Sequence, residues 1–302
     1  MRNALVVLAI VCSSVVPGAE PYNRLIFAGD VMLSRSVHDR IFAAHDFALP
    51  FRKIAPLLAG SDIAFVNLES PFSDRGAARR GELIFRAAPE TIAALQLGHV
   101  AIASTANNHS RDCGAQGVEF TVAWLRQHAI QPVGSSESED RTHHGVILER
   151  NGVRFGFLGY TYDQQNGNWH DVDKRIALAD PDVLCRDVTE LRQRADVVIV
   201  SMHHGIEYRP QPSKEQIAFA HAAIDAGATL VIGHHPHVVQ PQEAYHGGLI
   251  FYSLGNFVFD QYQREATQHG ELVQVSFLGR SILSTYIMPI RITPTGPELE
   301  LH

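Results

Sequence analysis

The sequence is poor in cysteine, in positive charge and in long apolar runs, and each shortage excludes a class of protein. It has three cysteines in 302 residues and no Cys-x-x-Cys pair, which argues against a cysteine-based metal site. Cys113 and Cys185 could pair in an oxidising compartment or remain separate buried thiols. The net charge of -7 argues against a broad contact with nucleic acid, which requires a basic face. Beyond residue 20, no apolar run approaches the roughly 20 residues of a transmembrane helix.

The first twenty residues, MRNALVVLAIVCSSVVPGAE, are typical of a secretory signal peptide. Arg2 supplies the positive start, residues 4–16 are mostly apolar, and Gly18-Ala19 offers a cleavage point. We therefore predict a signal peptide over residues 1–19 and one domain over residues 20–302. The protein is expected to be exported, either periplasmic or on the cell surface. An uncleaved N-terminal segment that gives peripheral membrane association is the alternative.

The mature chain alternates short apolar strands with amphipathic helical stretches, which predicts an α/β fold with a largely parallel sheet. The turn signal Asn151-Gly152 lies between two apolar runs and predicts a hairpin. The last third is also rich in strand patterns, so antiparallel strands are expected as well. The predicted strands are 24–28, 62–67, 100–105, 197–201 and 229–232, and the predicted helices are 89–97, 115–128, 181–194 and 213–226.

Polar residues of a metal-binding type follow directly after five predicted strands. In open α/β sheets the ligand site lies outside the carboxyl ends of the strands, so these side chains are expected to meet at one edge. Mixed oxygen and nitrogen donors suit Mn, Fe, Co or Zn, and two such ions close together can activate a water. Each residue alone is more often a turn, a cap or a surface group, but the coincidence at five strand ends favours a site. The residues are Asp30, Asn67, Glu69, Asn108, His109, Asp112, His203, His235 and His237.

Six ordered motifs resemble the CapA family, whose members are associated with bacterial poly-γ-glutamate capsule synthesis. They extend from about Leu25 to Asp260, which is most of the mature chain. The family is similar in fold to the calcineurin-like metallophosphoesterases. The resemblance therefore implies two packed mixed β-sheets flanked by helices, an α/β/β/α arrangement. The motifs are FAGDVM (27–32), NLESP (67–71), ANNH (106–109), HHGIEY (203–208), GHHPHV (233–238) and SLGNFVF (253–259).

The resemblance also implies roles for individual residues. His109 matches a histidine that steadies charge or protonates the leaving group, and we predict that His109 and Asp112 form the catalytic pair. The alternative is that His109 merely hydrogen-bonds Asp112 and orders the loop. The implied cofactor is one or two divalent ions, Mn, Zn or Fe. The implied metal ligands are Asp30, Glu69, Asn108, His203, His235 and His237.

One departure from the metallophosphoesterases affects the number of metal ions. Those enzymes usually carry a histidine two residues after the first aspartate, and here that position is Met32. One metal therefore loses a ligand, or another group such as His234 replaces it.

Substrate contacts are predicted from the same motifs and from the basic loop SDRGAARRGELIFR, which follows Glu69. Its guanidiniums could bind polymer carboxylates or a phosphate through forked hydrogen bonds. The alternative for this loop is a solvated basic surface. The predicted substrate residues are Asn67, Arg79, Arg80, Arg86, Glu207 and Asn256.

These observations favour an exported CapA-like protein in poly-γ-glutamate capsule biosynthesis or attachment, with a metal-dependent hydrolase or transferase site. Its expected partners are an anionic polymer such as poly-γ-glutamate or the machinery that synthesises it. The second hypothesis is a periplasmic metallophosphoesterase that acts on small phosphoesters. The third is a non-catalytic polymer-binding assembly subunit, which keeps the site for structure.

Overall fold

The computed structural model describes residues 21–74, 84–163 and 172–300. Strands β1 to β14 are Tyr22–Val31, Ile63–Leu68, Val100–Ser104, Gln131–Val133, Val146–Arg150, Val153–Thr161, Val197–His203, Leu230–His234, Val239–Tyr245, Gly248–Leu254, Asn256–Val258, His269–Leu278, Ser281–Thr293 and Gly296–Leu299. Helices α1 to α7 are Arg35–Ala43, Ala55–Leu58, Ile92–Leu97, Gly114–Gln127, Glu139–Thr142, Pro181–Arg192 and Lys214–Asp225. Short 3₁₀ helices cover Leu49–Phe51, Pro89–Thr91 and Glu265–Gln268.

The strands form two mixed sheets. The first has the order β14-β13-β12-β1-β2-β3-β4, and β11 pairs with the end of β1. The second has the order β5-β6-β7-β8-β10-β9. Strands β1 to β4 are parallel, as are β6, β7, β8 and β10, while β12, β13, β14, β5 and β9 add antiparallel pairs. The mixed parallel and antiparallel arrangement agrees with the prediction.

Three apolar cores hold the layers together. Leu25 and Phe27 of the first sheet pack against Val197 and Ile199 of the second, so the two sheets lie face to face. The opposite face of the first sheet carries its own core under α3 and α4. The opposite face of the second sheet packs against α6 and α7. The central strands are therefore apolar on both faces, which explains their continuous apolar runs.

Local sequence signals correspond to observed helix and turn geometry. The Asp180 side chain caps α6 by accepting hydrogen bonds from two backbone N–H groups. Ser213 and Gln216 form a capping box at the start of α7. Asn151 and Gly152 both have positive φ, at 46° and 77°, as a tight hairpin turn between β5 and β6 requires.

Two elements, the cysteines and the lengths of the helices also bear on what the sequence predicts. Helix α1 and strand β4 were not predicted, because the amphipathic pattern of α1 covers only nine residues and β4 has only three. Cys113 and Cys185 are free thiols, so of the two alternatives the structure shows the unpaired one. Across the described ranges, no helix has the length and apolar character to cross a bilayer.

The chain crosses from one sheet to the other at Gly255. Strand β10 ends at Leu254 in the second sheet, and β11 begins at Asn256 beside β1 in the first. The backbone N–H of Asp30 donates to the carbonyl oxygen of Gly255 at 3.0 Å. A Cβ atom at Gly29 would lie 2.0 Å from that oxygen, so the close approach requires glycine. This crossing brings the end of β1 against the second sheet.

Candidate metal centre

The carboxyl ends of five strands meet at one edge of the two sheets, as the sequence predicts. Strands β1, β2 and β3 deliver side chains from the first sheet, and β7 and β8 deliver them from the second. All of these residues are at least 95% buried. The residues brought together are Asp30, Asn67, Glu69, Asn108, His109, His203, His235 and His237.

Asp30 is the most densely contacted carboxylate of the site. Asn67 Nδ2 donates to its Oδ1 at 2.8 Å, and the backbone N–H of His235 donates to its Oδ2 at 3.3 Å. The Nδ1 atoms of His234 and His237 each lie 3.4 Å from one of its oxygens. Burial favours the neutral acid, but these two imidazoles outweigh it and hold the pKa of Asp30 well below its ordinary value. Asp30 is therefore a stable anion.

Glu69 is fully buried, and neither of its carboxylate oxygens has a hydrogen-bond donor among the described residues. Its Oε1 instead faces three imidazole Nε2 atoms, those of His237 at 3.7 Å, His109 at 3.9 Å and His203 at 4.0 Å. These distances exceed hydrogen-bond lengths. Burial, followed by the nearby charge of Asp30, raises the pKa of Glu69 well above its ordinary value. A cation beside it would favour its ionised form.

The same geometry fits a divalent ion. Two ligand atoms that each lie about 2.1 Å from one ion are roughly 3 to 4 Å apart, which is the range seen around Glu69. Ligand atoms of Asp30, Glu69 and His203 lie within 4.8 Å of one another. Carboxylate oxygens with imidazole nitrogens are the donor set of Mn, Fe or Zn. The residues present therefore fit the implied metal.

His203 is held in one orientation and in the neutral form. Its Nε2 donates to Asn108 Oδ1 at 2.8 Å, and its Nδ1 receives Asn67 Nδ2 at 3.2 Å. Burial and then the neighbouring His235 lower its pKa well below the ordinary value. Neutral imidazole is the form that binds metal, and metal binding at Nε2 would replace the hydrogen bond to Asn108 and move the ring proton to Nδ1.

The turn after β8 is backbone-strained. His235 and His237 have positive φ, at 96° and 59°, a conformation that costs of order 1–3 kcal/mol for each non-glycine residue. The carbonyl of Pro236 accepts a hydrogen bond from Tyr208 N at 2.8 Å, which fixes the turn. Burial lowers the pKa of His235 to about 3, so it is also neutral. The strained turn directs both imidazoles toward the site.

Met32 and His234 are the two residues that bear on the histidine missing after Asp30. Met32 lies in the core between the first sheet and its helices, and its Sδ accepts hydrogen bonds from Ser34 at 3.2 Å. It is therefore turned away from the site. His234 is fully buried against Asp30 but lies outside the group of ligand atoms within 4.8 Å of one another. Its Nδ1 lies 3.4 Å from Asp30 Oδ1, and both of its ring nitrogens are buried without a hydrogen-bond partner among the described residues.

His109 pairs with Asp112 beside the metal ligands. Its Nδ1 lies 2.7 Å from Asp112 Oδ2, which also accepts the backbone N–H of Phe85 at 2.6 Å. The His109 ring stacks on Phe85 with centroids 3.6 Å apart. Because a carboxylate only accepts hydrogen bonds, Nδ1 carries the proton and Nε2 faces Glu69. This arrangement is that of an imidazole positioned for proton transfer.

The predicted substrate residues fall into three groups. Asn67 and Asn256 are fully buried within the site's supporting contacts, and Asn256 Oδ1 accepts the Nδ1–H of His237 at 3.0 Å. This position favours orientation of the imidazole over substrate contact. Glu207 is exposed at the site, and its charge helps to raise the pKa of Glu69. Arg86 lines a cavity next to Phe85. Arg79 and Arg80, like the signal segment, lie outside the described residues.

Sequence reasoning assigned no role to Arg35, Phe85 or Phe259, although Phe85 lies in the basic loop and Phe259 ends the motif SLGNFVF. Phe85 stacks on His109, Phe259 contacts His237 at a tilt, and Arg35 lies over both phenylalanine rings. None of these residues lies in a metal-ligand pattern. Arg35 is five residues after Asp30, beyond the strand, and that position was the only signal available.

Comparison with known sequences places these residues within a described family. The profile of the family named Bacterial capsule synthesis protein PGA_cap matches residues 24–261. The capsule biosynthesis protein CapA of Bacillus anthracis is 32% identical over 283 residues, which covers 91% of this chain and 68% of that protein. The PGA biosynthesis protein CapA of Bacillus subtilis is 32% identical over 241 residues, which covers 78% of this chain and 63% of that protein. The matched region is thus about two thirds of these relatives' length.

Comparison with solved structures identifies the fold. The NAD nucleotidase of Haemophilus influenzae superposes with a TM-score of 0.53 at 11% identity, covering 92% of this chain and 59% of that one. A putative 5'-nucleotidase of Staphylococcus aureus superposes with a TM-score of 0.52 at 13% identity, covering 88% and 54%. At these identities the similarity shows a shared fold alone: two mixed sheets flanked by helices.

Proposed function

The chain belongs to the bacterial capsule synthesis protein family, and from this premise we propose that it acts in the synthesis or surface attachment of a poly-γ-glutamate capsule. Its site is proposed to hydrolyse or transfer a γ-glutamyl amide or ester in a metal-dependent reaction. The observation that carries the proposal is Glu69, a buried carboxylate without a hydrogen-bond donor that faces three imidazoles. We also propose that the protein is exported, on the pattern of its first nineteen residues.

Three residues are proposed to hold the ion: Asp30, Glu69 and His203. Three further predicted ligands lie next to them: His235, His237 and Asn108. A divalent ion in this position supplies Lewis acidity to a substrate carbonyl or phosphoryl oxygen. Asn256 accepts the Nδ1–H of His237 and leaves its Nε2 facing Glu69, and Asn67 lies against Nδ1 of His203. The ligands are thus positioned before substrate arrives.

His109 is proposed to supply the proton that the leaving group needs. Asp112 holds the Nδ1 proton and stabilises the imidazolium when Nε2 is also protonated. The stacked ring of Phe85 fixes the plane of the imidazole, so Nε2 stays directed toward Glu69. Transfer of the Nε2 proton to a departing amide nitrogen or ester oxygen returns His109 to its neutral form.

A second candidate function is hydrolysis of small phosphoesters, because the chain shares its fold with two nucleotidases. The same oxygen and nitrogen donors and the same proton donor would serve that reaction. The two functions differ in substrate and not in the metal site.

One experiment tests the proposal and separates the candidates. The purified chain is stripped with a chelator, reloaded with Mn, Zn or Fe, and passed through gel filtration. We expect about one or two ions per chain in the wild type, close to none in His203→Ala, and wild-type content in the surface control His246→Ala. The loaded protein is then assayed with a γ-linked glutamate oligomer and with aryl phosphoesters.

The outcomes are distinct. Cleavage or transfer of the γ-linked oligomer supports the capsule function, and activity confined to phosphoesters supports the second candidate. Metal retention without turnover on either substrate class supports a binding subunit. If the wild type retains no more metal than His203→Ala under every loading condition, the metal-dependent site is refuted.

A further inference from the structure

Two aromatic rings separate Arg35 from two histidines of the metal centre. Its guanidinium carbon is 4.6 Å from the centroid of Phe85 and 5.7 Å from that of Phe259. Phe85 stacks on His109 at 3.6 Å, and Phe259 contacts His237 at 4.7 Å between centroids. The charge of Arg35 is therefore held beside the site by the same rings that support its imidazoles.

Arg35 is also fixed by its polar contacts and by its backbone. It forms an ion pair with one oxygen of Asp260. The other oxygen, Oδ2, accepts a hydrogen bond from the Ser36 hydroxyl at 2.8 Å. Its φ of 50° is unusual for a residue other than glycine, and such strain concentrates at functional sites. The ion pair uses one of the five N–H donors of the guanidinium, and a third of the side chain, 33%, is exposed. The guanidinium is thus pre-positioned with donors to spare.

The exposed part of Arg35 borders a cavity of about 560 Å³. Two further cationic or titratable groups, Arg86 and His38, line this cavity and are half-buried. Three acidic residues line it as well, but all three are exposed, so they lie at its rim. The acidic residues are Asp39, Asp74 and Glu90. Arg35 is exposed at the same rim, and the half-buried Arg86 and His38 lie deeper in the cavity.

We propose that Arg35, with Arg86, forms a carboxylate-binding subsite that takes the α-carboxylate of a glutamyl unit adjacent to the metal centre. This inference rests on the proposed function, because each unit of a γ-linked polymer keeps a free α-carboxylate. The two oxygens of a carboxylate match the fork of a guanidinium. The acidic rim repels a phosphate dianion about twice as strongly as a single carboxylate, which favours the latter. Arg35 is thus a substrate-specificity residue and not a metal ligand.

Binding of two matched oligomers tests the subsite. The first is a short γ-linked glutamate oligomer, and the second is the same oligomer with its α-carboxylates converted to amides. For Arg35→Gln we expect calorimetry to show about tenfold to hundredfold weaker binding of the first oligomer, and a change within about twofold for the second. Arg35→Lys keeps the charge without the fork and should fall between the wild type and Arg35→Gln.

Two control variants separate the subsite from general effects. Arg154→Gln also removes an arginine paired with an aspartate, Asp196, but at the opposite ends of the strands, and it should bind both oligomers as the wild type does. Asp39→Asn removes a rim charge and should tighten binding of the glutamate oligomer about twofold to fivefold. Metal content and thermal midpoint are measured for each variant to confirm that it is folded.

The possible results distinguish the subsite from the proposed function. Loss of glutamate-oligomer binding in Arg35→Gln, with amide-oligomer binding kept, supports the subsite. Equal binding by the wild type and a folded Arg35→Gln overturns the subsite and leaves the proposed function intact. If the wild type binds neither oligomer, both the subsite and the proposed function on polyglutamate are refuted. If phenyl phosphate then binds in an Arg35-dependent manner, the assignment to carboxylate is wrong and the subsite belongs to a phosphoester.

Discussion

Replacement of Glu69 by glutamine gives a sharp test of the metal centre, because it should have opposite effects with and without metal. Glutamine keeps the size of the side chain and removes its charge. In the metal-free protein, Glu69 is buried beside Asp30 with no hydrogen-bond donor. Removing the charge should therefore stabilise the metal-free protein. The same change removes a proposed ligand, so it should abolish stabilisation by metal.

Two estimates set the upper limit of the stabilisation expected for metal-free Glu69→Gln. Ligand oxygens of Asp30 and Glu69 lie within 4.8 Å, where two like charges repel by about 3 kcal/mol at an effective dielectric constant of about 20. If Glu69 instead takes up a proton on folding, the cost is about 1.4 kcal/mol for each pH unit above its ordinary value of 4.5, again about 3 kcal/mol at neutral pH. We expect the free energy of unfolding of Glu69→Gln to exceed that of the wild type by about 1–3 kcal/mol. For a chain of this size, each kcal/mol raises the thermal midpoint by about 2–4 °C.

The pH dependence has a definite sign. The pKa of Glu69 is raised in the folded protein, so the penalty is absent below its ordinary value of 4.5 and develops as the pH rises. The stability difference between Glu69→Gln and the wild type should thus be close to zero near pH 4.5 and increase toward neutral pH. Comparing the two proteins at each pH cancels the titration of histidines that lie far from Glu69, but not of the three that face it.

The assay is urea denaturation or calorimetry of chelator-treated protein between pH 4.5 and 7, repeated with saturating Mn or Zn. The wild type should gain about 3 kcal/mol at a metal concentration one hundred times the dissociation constant, and Glu69→Gln should gain little, so the order of stability reverses. The control is Glu271→Gln, which removes a carboxylate whose pKa is raised by burial alone, and it should keep the full metal response. A metal-free Glu69→Gln that is less stable than the wild type at every pH would refute the reasoning.

Three further substitutions probe the residues around Glu69. His109→Ala should keep the metal content of the wild type and lower turnover about a hundredfold to ten-thousandfold, with a smaller loss on good leaving groups; metal analysis beside kinetics checks this, and normal turnover would remove His109 from the mechanism. Asn256→Ala removes the acceptor of the His237 Nδ1–H and should weaken metal binding about tenfold to a hundredfold in a chelator competition; unchanged affinity would contradict the orienting role. His234→Ala should leave the metal stoichiometry unchanged, and loss of one ion would show that His234 replaces the ligand missing at Met32.

The positions of most site residues could be predicted from the sequence because strand ends are easy to recognise. The apolar runs before Asp30, Glu69 and His203 are continuous, since these strands are buried on both faces. A parallel strand that ends in a polar residue must deliver it to the carboxyl edge of its sheet. The division into two sheets that share that edge came from the family resemblance and not from the strand pattern.

Other parts of the site depend on contacts between distant segments, and no local pattern encodes them. Asn256 reaches His237 because Gly255 carries the chain from one sheet to the other, which is a property of the whole fold. Arg35 gains its position from Phe85 and Phe259, which come from two separate loops. The positive φ of His235 and His237 is maintained by surrounding packing against the intrinsic preference of histidine.

The division of the ligands between two sheets has a kinetic consequence for folding. Asp30 and Glu69 come from the first sheet, and His203 comes from the second. Neither sheet alone offers more than a fragment of the coordination sphere, so a partly folded chain has only weak affinity for metal. Tight capture must wait until the sandwich has closed. The proposed ion would then be a late addition, and its loss would be tied to opening of the sandwich.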